Sequence, residues 1–108
     1  MDQNKIEEMH ERYKKHKFLD YIGARLDKLE DGKATILIDK KEEITQGLGY
    51  LHGGLLATIT DSVGCNAAAT ALEEGVHVLT VDLKINYLNP ANGDRFIAIG
   101  EVVKSGKT

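Results

Sequence analysis

Between Ile44 and Leu72 only Asp61 is charged, in a chain of 108 residues of which 29% are Asp, Glu, Lys or Arg. The stretch "GYLHGGLLATITDSVGCNAAAT", Gly49 to Thr70, reads as a helix. At about 100° per residue, Leu55, Leu56, Ile59, Val63, Ala67 and Thr70 share one broad face. Ala57, Asp61, Gly64, Cys65 and Ala68 fall on the opposite face. A helix that borders water carries Lys and Glu there, whereas small residues permit close approach by a backbone or a ligand. Both sides of this helix are therefore expected to be covered, one by its own sheet and the other by a partner or substrate. Asp61 then lies within a covered seam.

The flanking segments supply the sheet. Residues 3–16 look helical, with Ile6, Met9 and Tyr13 on one face. Residues 18–30 and 33–40 read as a hairpin. Its turn signal is Asp31-Gly32, and Ala34, Ile36 and Ile38 alternate on one side. "KKEEITQGLGY" is a Gly-rich loop, and the long helix is expected over 53–73. "VHVLTVDLKINYL" then alternates, with Val81, Leu83, Ile85 and Tyr87 on one face. After the turn "NPANGD", "RFIAIGEVVK" is a further strand. The order is α+β, with an antiparallel sheet and one dominant helix against it. We expect a single domain over 1–108, with an N-terminal helix in 1–17 and the core in 18–108.

A net charge of −3 argues against a general nucleic-acid binder. The single cysteine, Cys65, makes no intrachain disulfide. "MDQNKIEEMHERYKKHK" lacks the apolar centre of a signal peptide, and no apolar run approaches the roughly 20 residues that span a bilayer. The expectation is a soluble cytoplasmic protein with no membrane partner.

A carboxylate in a covered seam is costly unless it is paired, hydrogen-bonded or neutral. Asp61 either ties down a loop through backbone N–H groups or serves as a general base or nucleophile. The helix start favours chemistry. Its first N–H groups lack internal partners and sit at the positive end of the dipole. Gly53 and Gly54 leave that end open to a carbonyl oxygen. Asp61 lies eight residues on from Gly53, about 12 Å along the axis. One reaction that uses both groups would draw Asp61 from a second copy of the chain, which points to a homodimer with shared sites.

"QGLGYLHGGLLATITDSVG", "LTVDLKINYLNPA" and "GEVVKSGKT" together resemble the hot-dog-fold acyl-CoA thioesterases, in the branch typified by the phenylacetate-pathway thioesterase. The similarity covers about residues 18–108. It implies a helix wrapped by an antiparallel sheet, dimers with a continuous sheet and often tetramers. It also implies hydrolysis of acyl-CoA without metal or other cofactor, CoA being part of the substrate. By resemblance, the oxyanion-hole amide falls on Gly53, the catalytic acid on Asp61 and the preceding His on His52. Gln46 stands where the family usually has Asn, one methylene longer, and Thr80 falls where a Ser or Thr orients the water. Asn86, Tyr87 and Pro90 would border the CoA groove, or anchor the turn. The alternative role for His52 is only to fix the loop before the helix. The resemblance implies two more strands after the "GKT" turn, where this sequence stops, so the sheet is expected to carry unpaired edges. A non-catalytic acyl-CoA-binding module on the same fold is the alternative.

Other motifs carry less. "GEVVKSGKT" has five residues between Gly100 and Gly106 where a phosphate-binding loop needs four. "HERYKKH" has Lys14 where a zinc helix needs its second His. Cys65 reads as a small core residue rather than a nucleophile, and Asp82 with Lys84 as a solvated pair.

Overall fold

The computed structural model describes residues 2–45, 50–71, 80–87 and 95–106, with side chains described outside 80–87 and 103–106. The elements are α1 (Gln3–Lys14), α2 (Lys17–Ile22), β1 (Ala24–Glu30), β2 (Lys33–Asp39), a 3-10 turn (Glu42–Ile44), α3 (Gly53–Thr70), β3 (Thr80–Tyr87) and β4 (Arg95–Gly106). The strands form one antiparallel sheet in the order β1-β2-β4-β3. A long helix laid on an antiparallel sheet is the arrangement that the resemblance implies.

The first hairpin follows its turn chemistry. Gly32 takes a φ of 76°, in the left-handed region that glycine enters without a Cβ penalty. Alternation along β2 then buries Ala34, Ile36 and Ile38. At the far end of the sheet Asp39 pairs across strands with Arg95, Nε to Oδ1 2.7 Å, and with Arg25 at 3.1 Å, all three exposed. The turn is pinned to the last turn of α3, where the Gly32 N–H donates to the Thr70 hydroxyl at 2.7 Å.

Helix α3 lies against β2 and β4, burying Leu55, Ile59, Val63, Ala67 and Thr70 on the face expected of it. Its seat is set by Gly100 on β4. A Cβ there would stand 2.8 Å from the Val63 carbonyl oxygen and 3.4 Å from the Gly64 nitrogen, so helix and strand backbones touch. This corrects the expectation that Gly64 lies on the outward face: it is buried against the sheet. The described part of the helix ends at Thr70 rather than at 73, and residues 72–79 lie outside the described residues.

Helix α1 runs antiparallel to α3, its start at Thr70 and its end at Ser62. Lys5 Nζ donates to the Thr70 carbonyl at the C-terminal end of α3, where a cation suits the dipole. Tyr13 lies beside Ser62 and donates its hydroxyl to the Ala24 carbonyl at 2.9 Å. Ile6, Met9 and Tyr13 face the core as expected.

Residues 18–22 differ from expectation. They form α2 rather than the start of a strand. Leu19 and Ile22, three apart, are buried, while Phe18 and Tyr21, also three apart, are exposed. That is helical spacing, and Gly23 at φ 79° ends the turn before β1 begins.

Candidate active site

The site begins at the entry to α3. His52 is extended, with φ −62° and ψ 134°, and its Nδ1 accepts the Gly54 N–H at 3.0 Å. Its carbonyl accepts from Leu55 and Leu56, while its own N–H donates to the Ile44 carbonyl at 3.1 Å. His52 is thus the N-cap, an imidazole doing what Ser or Asp usually does. The bond requires an unprotonated Nδ1.

With Gly54 satisfied by the cap, the Gly53 N–H is left with no partner among the described residues. A Cβ built on Gly53 meets nothing within 4 Å. Among the described residues, the positive end of α3 therefore presents one donor without a partner, as an approaching carbonyl oxygen requires.

Two sides of α3 are covered within the chain, by the sheet and by the N-terminal helices. Ala57, Asp61 and Cys65 remain exposed on the third. Among the described residues, nothing from another element forms the covered seam expected around Asp61. Cys65 is also exposed, which corrects its reading as a core residue. One turn on from Asp61, it takes the same outward face and its Sγ stands 4.0 Å from Asp61 Oδ1. Partial burial, then the Asp61 charge, push its thiol pKa up. A thiol held protonated in this way does not fit a nucleophile.

His52 and Gly53 are therefore brought together, and Asp61 stands about 12 Å farther along the same helix. Thr80 opens β3, where it pairs with Gly106, while Asn86 and Tyr87 pair with Ile99 and Ala98 near its other end. Six residue steps along the strand take Thr80 to Asn86, roughly 20 Å. The two groups of candidates thus belong to opposite ends of β3. Gln46 and Pro90 lie outside the described residues. The reading of residues 18–22 as a strand missed the α2 side chains that approach the entry to α3. The i, i+3 spacing of Leu19 and Ile22 was the signal for them.

Comparison with known proteins bears on what such a helix end does. The description "Thioesterase superfamily" matches residues 48–108, which hold α3, β3 and β4. A Halobacterium salinarum protein provisionally named an esterase is 38% identical over 98 residues, 86% of this chain and 64% of that protein. Acyl-coenzyme A thioesterase 13 of Homo sapiens is 37% identical over 78 residues, 71% of this chain and 55% of that protein. The chain thus spans less than two thirds of either relative's length. Among solved structures, a thioesterase family protein from Silicibacter pomeroyi superposes with a TM-score of 0.75 at 39% identity, covering 91% of this chain and 72% of that one.

Proposed function

The chain belongs to the thioesterase superfamily, and from that premise we propose that it hydrolyses acyl-CoA thioesters to the free acid and CoA. The observation that carries the proposal is the Gly53 amide, without a partner among the described residues, at the N-terminus of a helix whose only charged side chain is Asp61. The thioester carbonyl oxygen sits at the Gly53 N–H. Asp61 takes a proton from a water that adds to the carbonyl carbon, or adds to that carbon itself to give an anhydride that water then opens. In either route the C–S bond breaks and CoA leaves as a thiolate, so the step needs no strong general acid. Negative charge gathers on the carbonyl oxygen as the tetrahedral intermediate forms. An N–H already aimed there is worth about 3–4 kcal/mol. His52 holds the first turn in place, and Thr80 and Gln46 are assigned to the water and substrate. Asn86, Tyr87 and Pro90 are assigned to the CoA groove.

The two principal groups come from different copies. Separation along one helix keeps a single thioester carbonyl from reaching both, and the small, exposed face at Ala57, Asp61 and Cys65 leaves room for a second chain. Strand β3 pairs only with β4 among the described residues, so its other edge offers a place for the sheets of two copies to join. Among the described residues no helix is long and apolar enough to cross a membrane.

The test is thiol release from a panel of acyl-CoAs by the wild-type protein and by Asp61→Asn. Turnover is expected to fall at least about a hundredfold in the variant, with circular dichroism and oligomeric state unchanged. Equal turnover in the two proteins would remove Asp61 from the reaction. Binding of acyl-CoA without turnover in the wild type would point to the non-catalytic module.

A further inference from the structure

Three large apolar side chains are exposed among the described residues, and two of them, Phe18 and Tyr21, stand side by side on α2. They wall a groove of about 550 Å³, within the roughly 300–1,000 Å³ usual for small-molecule sites. Ile22, Ile44 and Leu55, all buried, give it an apolar base, and His52 and Gly54 join it to the entry to α3. Lys41, Glu43 and Thr45 also line it. The Thr58 hydroxyl at its side is already spent on the Gly54 carbonyl, 3.1 Å away.

Tyr21 is 76% exposed yet braced. Lys41 Nζ donates to the Tyr21 carbonyl at 2.8 Å and stands 5.8 Å from the centre of its ring. An exposed aromatic wall held in place beside an apolar floor is built to cover something apolar.

Resting on the hydrolase reading, we infer that this groove receives the apolar part of the acyl group, and that Phe18 and Tyr21 determine acyl-chain preference. The thioester carbonyl at the Gly53 amide has two substituents, the acyl chain and the pantetheine arm. The arm carries two amides, which lose water without gaining a partner where they pass over Ile22, Ile44 and Leu55. A hydrocarbon chain loses nothing there and gains by leaving water. The groove begins one residue past the donor amide, so the chain enters it directly beyond the carbonyl carbon. Acyl groups too short to reach α2 gain nothing from the aromatic pair, so selection falls on length.

The experiment compares octanoyl-CoA with acetyl-CoA in the full-length protein, as wild type, Phe18→Ala, Tyr21→Ala and Tyr21→Phe. The ratio of the two kcat/KM values is expected to fall about tenfold in each alanine variant and to be retained by Tyr21→Phe. An unchanged ratio in both alanine variants overturns the inference, as does a change in oligomeric state with no change in ratio, which would mark the groove as a contact between copies. Calorimetry separates this inference from the hydrolase reading. If the wild type hydrolyses no acyl-CoA, its affinity advantage for octanoyl-CoA over free CoA still reads the groove. Loss of that advantage in the alanine variants supports the inference, and no advantage in the wild type overturns it.

Discussion

Replacing Gly53 by proline removes one hydrogen-bond donor and little else, and the geometry of the helix start is the reason. Gly53 is the first residue of α3, the position where proline's fixed φ and missing N–H cost least. The residue before a proline must be extended, and His52 already has φ −62° and ψ 134°. The amide to be lost has no partner among the described residues, and a Cβ at this position meets no atom within 4 Å. Folding stability should therefore change by no more than about 0.5 kcal/mol. The reaction should suffer far more, because loss of an oxyanion donor costs about a hundredfold to a thousandfold in kcat. The assay pairs steady-state thiol release from an acyl-CoA with a thermal melt of the same sample. Gly53→Ala is the control, since it adds a Cβ and keeps the N–H. A proline variant that melts like the wild type and turns over within about threefold of it would refute Gly53 as the donor. A proline variant that does not fold would refute the account of the helix entry.

Gly100→Ala should have the opposite profile from Gly53→Ala, because its Cβ would press on the Val63 carbonyl at 2.8 Å. Overpacking of backbone on backbone should cost about 1–3 kcal/mol and lower the melting temperature by at least about 5 °C. An unchanged melt would mean that α3 is not seated on β4 as described. Burial pushes the Tyr13 phenol pKa up from 10.0 to about 12, with the Ser62 hydrogen bond opposing. The folded state holds that proton more tightly than the unfolded chain does. This contribution is therefore complete below pH 10 and lost as pH rises toward 12. Urea midpoints should fall less steeply above pH 10 for Tyr13→Phe than for the wild type, and parallel curves would contradict the burial argument. At neutral pH the same variant should be less stable by about 1 kcal/mol, the loss of its bond to the Ala24 carbonyl.

How much could be read from the chain alone depended on how local the signal was. Asp31-Gly32 and the alternation over Ala34, Ile36 and Ile38 specify a hairpin within a dozen residues, and the structure has it. The buried stripe of α3 is equally local. Gly64 departs from its expected face because a helical wheel does not say how far around a helix its sheet reaches, and that reach depends on Gly100, thirty-six residues later. Cys65 was misplaced because a small apolar residue suits a core and an outward seam alike. Residues 18–22 were misread because a six-residue helix gives too few turns for its period to outweigh neighbouring strand signals. At the site, the open Gly-Gly entry was legible, but the use of the His52 ring as its cap was not. Any cover over Asp61 must come from beyond the described residues of one chain, so no local pattern specifies it.

The most direct test of a site shared between two chains is to mix two inactive variants. Gly53→Pro lacks the amide and Asp61→Asn lacks the carboxylate, so neither homodimer has a complete site. In the mixed dimer one site has both groups damaged and the other has both intact. If subunits pair at random, half of the dimers are mixed and half of their sites work, which predicts recovery of about a quarter of wild-type activity. Each variant must first match the wild type by circular dichroism and sedimentation. Activity that rises on co-refolding toward that fraction, from two inactive parents, is the predicted result. If both variants fold and exchange subunits, yet the mixture stays as inactive as its parents, Gly53 and Asp61 do not meet across two chains.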